Sequence, residues 1–212
     1  MSDAARLKLI QWLSPAFPLG GFAYSHGIEA AIASGAVVDA GSAGAWIEDV
    51  IRRGSGRVDA VLLRAALRPD ADHAALAALA VAMAASKERL TETMEQGAAL
   101  ARTVGAISGR DLPAEPYPVA LGRAAQGLGL PPQDVVAQYL HAFASQLVQV
   151  AVRFVPLGQT EGQAMLAQLH PAILDVADAA ESIRPEDVTS SAFGADSAAM
   201  RHETMEVRIY RT

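Results

Sequence analysis

The stretch PPQDVVAQYLHAFASQLVQVAVRF, residues 131–154, decides the fold class of this chain. Apolar residues recur in it at alternating steps of four and three, which places them on one face of a helix. They are Val136, Leu140, Phe143, Leu147, Val150 and Phe154. The opposite flank carries Gln138, His141, Ser145 and Gln149, a stripe that could face solvent or, less simply, another subunit. We therefore predict a long helix with one buried face, which Pro156 and Gly158 end.

Helical spacing extends over the rest of the chain, whereas signals for β-strands are nearly absent. The further predicted helices are Ala5 to Leu13, Ser25 to Ala33, Gly41 to Arg53, Arg57 to Leu67, Asp72 to Ser108, Pro118 to Leu128 and Thr160 to Ala180. We expect a break near Ser86 and a kink or an end near Pro171. A last helix should begin near Asp196, a good N-cap residue.

The turns between these segments are short, and no linker is long enough to separate two domains. The sequence therefore predicts an all-α fold, a single-domain bundle of about eight to ten helices over residues 1–212. Within it, residues 181–212 form a C-terminal tail that ends in arginine and aromatic side chains.

Composition narrows the classes of partner. Of the 212 residues 51% are hydrophobic and only 19% charged, which indicates either apolar surface for protein partners or a large alanine-rich core. A net charge of −6 argues against nucleic acid as the main partner. The longest apolar run, residues 74–85, is too short to span a bilayer, which takes about 20 residues, so we expect no membrane segment. The absence of cysteine and the charged Asp3, Arg6 and Lys8, which argue against a signal peptide, suggest a cytoplasmic location.

The chemistry of familiar active sites is missing from the sequence. The dipeptide Gly-Lys of a phosphate-binding loop does not occur, and no two of the five histidines have the spacing that aligns two imidazoles on a helix. His202-Glu203 superficially resembles a zinc-protease helix, but Glu206 stands where the second histidine would be. We therefore predict no catalytic residue, no metal site and no cofactor.

Two features of the sequence each have both a plain and a functional interpretation. His26 and Glu29 are three residues apart on one face of a predicted helix, where a surface ion pair is the simpler reading. Arg and Tyr side chains at residues 201–211 are types enriched at interfaces, although composition alone favours a frayed, solvated tail.

Three segments in order carry a resemblance to a known family. They are SPAFPLGGFAYSHGIE at residues 14–29, VRFVPLGQTEGQ at residues 152–163 and HETMEVRIYRT at residues 202–212. Together they resemble the UreF family of urease accessory proteins over essentially the whole chain, with Ile209, Tyr210 and Thr212 as mild departures from the family's ending.

The resemblance implies an all-α, non-enzymatic protein, usually a homodimer, that binds UreD (UreH in some species) and recruits the GTPase UreG. In that family, nickel carried by UreG reaches apo-urease while UreG hydrolyses GTP. It also implies partner-binding roles for Gly20, Gly21, Phe22, Tyr24, Glu29, Arg201, His202, Glu203, Arg208 and Arg211, and we add His26 and Tyr210 to these candidates. The tail would dock UreD, and the loop Ser14 to Tyr24 with the following helix would lie at the subunit or UreG interface.

Two other readings stay open at this point. An unrelated helical adaptor shares every compositional feature, though it has no reason to carry three ordered motifs. A helical enzyme would use Glu29, His26 or the His202-Glu203 pair.

Overall fold

A computed structural model describes residues 3–211, and this part of the chain contains helices and turns but no β-strand. Its eleven α-helices are α1 Asp3–Leu13, α2 Ile28–Ala33, α3 Ala40–Arg53, α4 Ser55–Ala66, α5 His73–Ala82, α6 Lys87–Ser108, α7 Tyr117–Ala125, α8 Pro132–Phe154, α9 Gln159–Gln168, α10 His170–Ala179 and α11 Phe193–His202. Short 3-10 segments lie at Gly21–Ala23, Gln126–Leu128 and Pro185–Asp187. The predicted all-α fold is confirmed.

Helix α8 is the centre of the bundle. Of its predicted apolar stripe, all members except the half-buried Phe154 are buried, and Val136 and Leu140 expose no surface. The helix packs against α1, α2, α3, α4, α9 and α10. It ends where Val155 turns to an extended conformation before Pro156.

Helix α8 is also long and apolar enough to pass a length-and-composition test for a membrane span, with 56% of its most apolar window buried inside the fold. No other helix within residues 3–211 passes that test. The burial of α8 among six neighbouring helices accounts for its apolar composition without a bilayer.

Two predicted interruptions are confirmed. Ser86 separates α5 from α6 and caps α6, because its hydroxyl accepts a hydrogen bond from the Arg89 backbone N–H at 3.0 Å. Pro171 lies in the first turn of α10, where its missing N–H costs nothing, so the segment Thr160 to Ala180 divides into two helices at Leu169. This division brings the helix total slightly above the predicted range.

Two predicted helix starts are wrong. The helix expected from Ser25 begins instead at Ile28, since His26 and Gly27 have φ values of 50° and 76°, in the left-handed region that an α-helix excludes. Asp196 lies in the first turn of α11 rather than at its N-cap, and its carboxylate accepts a hydrogen bond from the Ser190 hydroxyl.

The packing of the helices determines where the loop before α2 meets the segment after α11. Helix α11 lies against α2, α3 and α6. The loop before α2 and the tail after α11 therefore lie next to each other, at the N-terminal half of α6.

Candidate functional site

The loop Ser14 to Tyr24 is held on α8 and α6. Gly20 has φ 75°, and Gly21 lies so close to α8 that a Cβ atom there would stand 2.7 Å from the Gln146 amide. Tyr24 is buried, and its hydroxyl donates a 2.7 Å hydrogen bond to Glu95 of α6. Burial and Glu95 raise the pKa of Tyr24 to about 12, so the hydroxyl stays a donor. Phe22, in contrast, is 76% exposed.

His26 is buried and faces α4, α6 and α8. Its Nδ1 lies 3.2 Å from the Ser55 hydroxyl, its Nε2 lies 3.1 Å from the Glu92 carboxylate, and its ring packs edge-on against Phe143 at 4.7 Å. The surface ion pair with Glu29 is therefore wrong, because the left-handed turn at His26 sends the two side chains to different partners.

Glu92 belongs to a buried network of charges that sequence reasoning missed. Arg89 donates to both Glu92 and Asp59, and Asp59 also accepts a hydrogen bond from the buried Tyr139 hydroxyl. Burial raises the pKa of Glu92, but the charges of His26 and Arg89 outweigh burial and lower this pKa to about 2. A signal was available in the run VDAVLL at residues 58–63, since a carboxylate inside an apolar helical run needs a buried partner.

Glu29 joins the N-terminal segment to the tail. Its carboxylate lies 2.9 Å from Nε2 of His202 and accepts hydrogen bonds from the backbone N–H groups of Ile209 and Tyr210, at 2.8 and 2.9 Å. Burial raises the pKa of Glu29, but the hydrogen bonds from His202, Ile209 and Tyr210 outweigh it and lower the pKa below its ordinary value. One carboxylate thus holds three donors of the C-terminal segment.

His202 is fully buried between two carboxylates. Its Nε2 faces Glu29, and its Nδ1 lies 2.9 Å from Glu88 at the start of α6. Carboxylates only accept hydrogen bonds, so this arrangement suits a ring in which both nitrogens donate. Both nitrogens are therefore occupied, and the resemblance of His202-Glu203 to a zinc-protease helix has no geometric basis here.

The remaining tail residues also bind to the body of the protein. Arg208 donates to Glu88 at 2.7 Å, and Arg211 donates to Glu95 at 2.8 Å through its side chain and to the Ala23 carbonyl at 2.7 Å through its backbone. Tyr210 is buried, with its ring edge-on to Phe154 at 5.4 Å. The alternative of a frayed, solvated tail is therefore wrong for residues 208–211.

Two predicted site residues lie at the margin of this cluster. The Glu203 carboxylate accepts a 2.8 Å hydrogen bond from the Lys87 backbone N–H, which serves the first turn of α6. The side chain of Arg201 is exposed. The structure thus joins the loop region to the tail through Glu29 and Arg211, while Arg201 is exposed to solvent.

The joined loop and tail leave an apolar outer surface, which we call the signature surface. The name stands for three exposed apolar side chains of the loop and the tail, Phe22, Val207 and Ile209, which are exposed to 76, 78 and 64%. Next to it, Phe22 and Tyr210 line a groove with Gln146, Gln149 and Arg153 of α8. Large apolar side chains that stay exposed beside a groove are one feature of protein-binding surfaces.

Comparisons with known proteins agree on one family. The family model described as UreF matches residues 37–170. A urease accessory protein UreF of Cereibacter sphaeroides strain KD131 is 61% identical over 99% of this chain and 100% of its own length. Proteins with the same description from Paracoccus denitrificans and Dinoroseobacter shibae are 53% and 46% identical, each over 99% of this chain and 97% and 99% of their own lengths. These relatives also cover the loop and the tail, which lie outside the family-model match.

Proposed function

The chain belongs to the UreF family of urease accessory proteins and thus acts in urease maturation, and we propose that it is a non-catalytic scaffold in that process. It binds UreD (UreH) and recruits the GTPase UreG for GTP-dependent insertion of nickel into apo-urease. It works in the cytoplasm as a homodimer. GTP hydrolysis belongs to UreG, and this chain supplies binding surfaces only.

One observation carries the proposal: the two segments that resemble the family's ends form a single structure. Glu29 binds the backbone of Ile209 and Tyr210, while Arg211 binds the Ala23 carbonyl beside Phe22. Each segment therefore supplies contacts that help to hold the other in place. The residues that are buried here hold the signature surface together, and the residues that are exposed are the ones that touch a partner.

This division assigns different roles to the predicted site residues. Gly20, Glu29 and His202 shape and fix the surface, whereas Phe22 makes contact, together with Ile209, which was not among the predicted site residues. The tail docks UreD, and the loop with α2 contacts UreG or a second copy of the chain. Apolar side chains at the centre of such an interface carry most of its binding free energy.

A pull-down from cells that coexpress UreD, UreG and the urease subunits tests the proposal. We expect the tagged chain to recover UreD and UreG, and size-exclusion chromatography with light scattering to show two copies of this chain in the complex. Phe22→Ser and Ile209→Ser should weaken recovery of UreD or UreG without lowering the melting temperature. Ile107→Ser is the matched control, because Ile107 is 59% exposed at the other end of α6.

Recovery of the chain alone from these cells would contradict the scaffold and favour an unrelated helical adaptor. Equal loss of partners in the Ile107 control would place the interface elsewhere on the molecule.

A further inference from the structure

Two exposed histidines that are distant in sequence come together on the outside of the bundle. His141 lies on the solvent side of α8, and His170 is the first residue of α10, which packs against α8. Their ring centroids are 5.5 Å apart and their planes are inclined at 45°. Burial and the nearby His170 lower the pKa of His141, as expected for two rings that sense each other.

The two imidazoles have no other protein partner within residues 3–211. The three buried histidines differ in this respect. Both ring nitrogens of His26 and of His202 contact protein groups, as described above, and the ring of His73 binds the Ala66 carbonyl at 3.0 Å. The ring nitrogens of His141 and His170, in contrast, make no hydrogen bond to a protein group in the described part of the chain. They are available to an outside ligand.

The separation of the rings fits one shared metal ion. A metal–nitrogen bond of about 2.0–2.1 Å puts a ring centroid about 3.2 Å from the ion. Two imidazoles on one ion then have centroids roughly 4.5 to 5.5 Å apart for bond angles from about 90 to 120°. The observed 5.5 Å lies at the wide end of that range.

We propose that His141 and His170 form a binding site for one divalent late first-row transition-metal ion, such as Zn²⁺ or Ni²⁺, that imidazole nitrogens favour. The packing of α10 on α8 places the two rings side by side before an ion binds. Within residues 3–211 no group of three or more His, Cys, Asp or Glu side chains is placed to hold an ion, so water fills the other coordination positions. Such a site exchanges its ion readily.

This inference goes beyond the proposed function, which needs no ion on this chain. It also explains why sequence spacing gave no sign of a site. A pair on one helix is visible as a spacing of three or four, whereas this pair depends on how α8 and α10 pack.

The test is a titration of the untagged full-length protein with ZnCl₂, followed through the imidazole C–H resonances of its histidines by NMR. We expect the resonances of His141 and His170 to shift together and saturate at one equivalent, while the buried His26, His73 and His202 do not move. NiCl₂ should broaden the same two sets of signals first.

Single variants identify the ligands. His141→Ala and His170→Ala should each weaken Zn²⁺ binding by at least about tenfold, a loss that even changes outside the first ligand shell can produce. Gln168→Ala is the matched control, since Gln168 is exposed two residues before His170 and takes no part in the pair. Circular dichroism melting should be the same for all three variants.

Unchanged resonances at a several-fold excess of Zn²⁺ would overturn the proposal, as would binding that survives in the double variant. The readout uses the isolated chain, so a failure here is distinct from a failure to recover UreD or UreG in the pull-down.

Discussion

Replacing Glu29 by alanine should release the C-terminal segment from the body of the protein. The change removes one partner of a buried ion pair with His202 and leaves the backbone N–H groups of Ile209 and Tyr210 without an acceptor. Breaking a buried pair costs about 3–5 kcal/mol, and each buried donor left unpaired costs about 1–3 kcal/mol. When the tail detaches, the freed N–H groups can bind water instead. The total loss of stability therefore cannot exceed the free energy that holds the tail on the body of the protein. We expect Glu29→Ala to lower the free energy of unfolding by about 3 kcal/mol, at the lower end of the range for a broken buried pair.

Hydrogen exchange measured by NMR is the direct assay, since the two affected amides are known. A loss of about 3 kcal/mol should speed exchange at Ile209 and Tyr210 by about a hundredfold, and the melting temperature should fall by roughly 6–12 °C. Glu29→Gln keeps one acceptor oxygen and should lose less. Glu206→Gln, an exposed carboxylate in the same tail, is the matched control.

Unchanged exchange at Ile209 and Tyr210 in Glu29→Ala would refute the reasoning, because the tail would then be held by contacts that do not depend on Glu29. A fall in melting temperature with normal exchange at these two amides would place the damage in α2 instead.

Three further predictions concern the buried interior and its response to acid. The pKa of Glu92 is lowered from 4.5 to about 2, which corresponds to on the order of 3 kcal/mol of folding free energy. This stabilisation is complete above pH 4.5 and is lost as the pH falls toward 2. The free energy of unfolding of Glu92→Gln, measured in urea, should therefore depend less on pH over that window than that of the unchanged protein. Asp59→Ala should lower the free energy of unfolding by about 3–5 kcal/mol, measured by urea titration, because it leaves Arg89 buried with one carboxylate fewer. Gly97→Ala should lower the melting temperature by several degrees, because the new Cβ would stand 1.8 Å from a backbone carbonyl oxygen before α7. Gly127→Ala is the control and should leave the melting temperature unchanged, because its Cβ would meet no atom within 4 Å. Equal melting temperatures of the two glycine variants would contradict the close approach at Gly97.

The helical architecture could be predicted from the sequence because its causes are local. The spacing of Val136, Leu140 and Leu147 fixes the buried face of α8, and Ser86 and Pro171 mark helix ends through bonds they make or cannot make within one turn. The failure at Ser25 has the same kind of cause in reverse. A histidine with positive φ is rare enough that helical spacing wins in any local reading.

The site could be predicted only as a set of residues. The motifs named Glu29 and His202, but spacing along a chain cannot show that they bind each other, because that contact depends on how α2, α6 and α11 pack. The network of Asp59, Arg89 and Glu92 was missed for a related reason. Charged residues on predicted helices are usually solvated, and only tertiary packing shows that these three face inward.

The pairing of His26 with Glu92 and of His202 with Glu29 changes how the motif residues must be tested. Each pair joins segments distant in sequence, so we expect an alanine at any of the four positions to weaken the support of the signature surface. Loss of a partner in such a variant would not separate contact from support. Phe22→Ser does separate contact from support, because the Phe22 side chain is exposed and its replacement removes no internal hydrogen bond. If Phe22→Ser keeps its partners while Glu29→Ala loses them, the motif serves the shape of the surface and the contacts come from other residues.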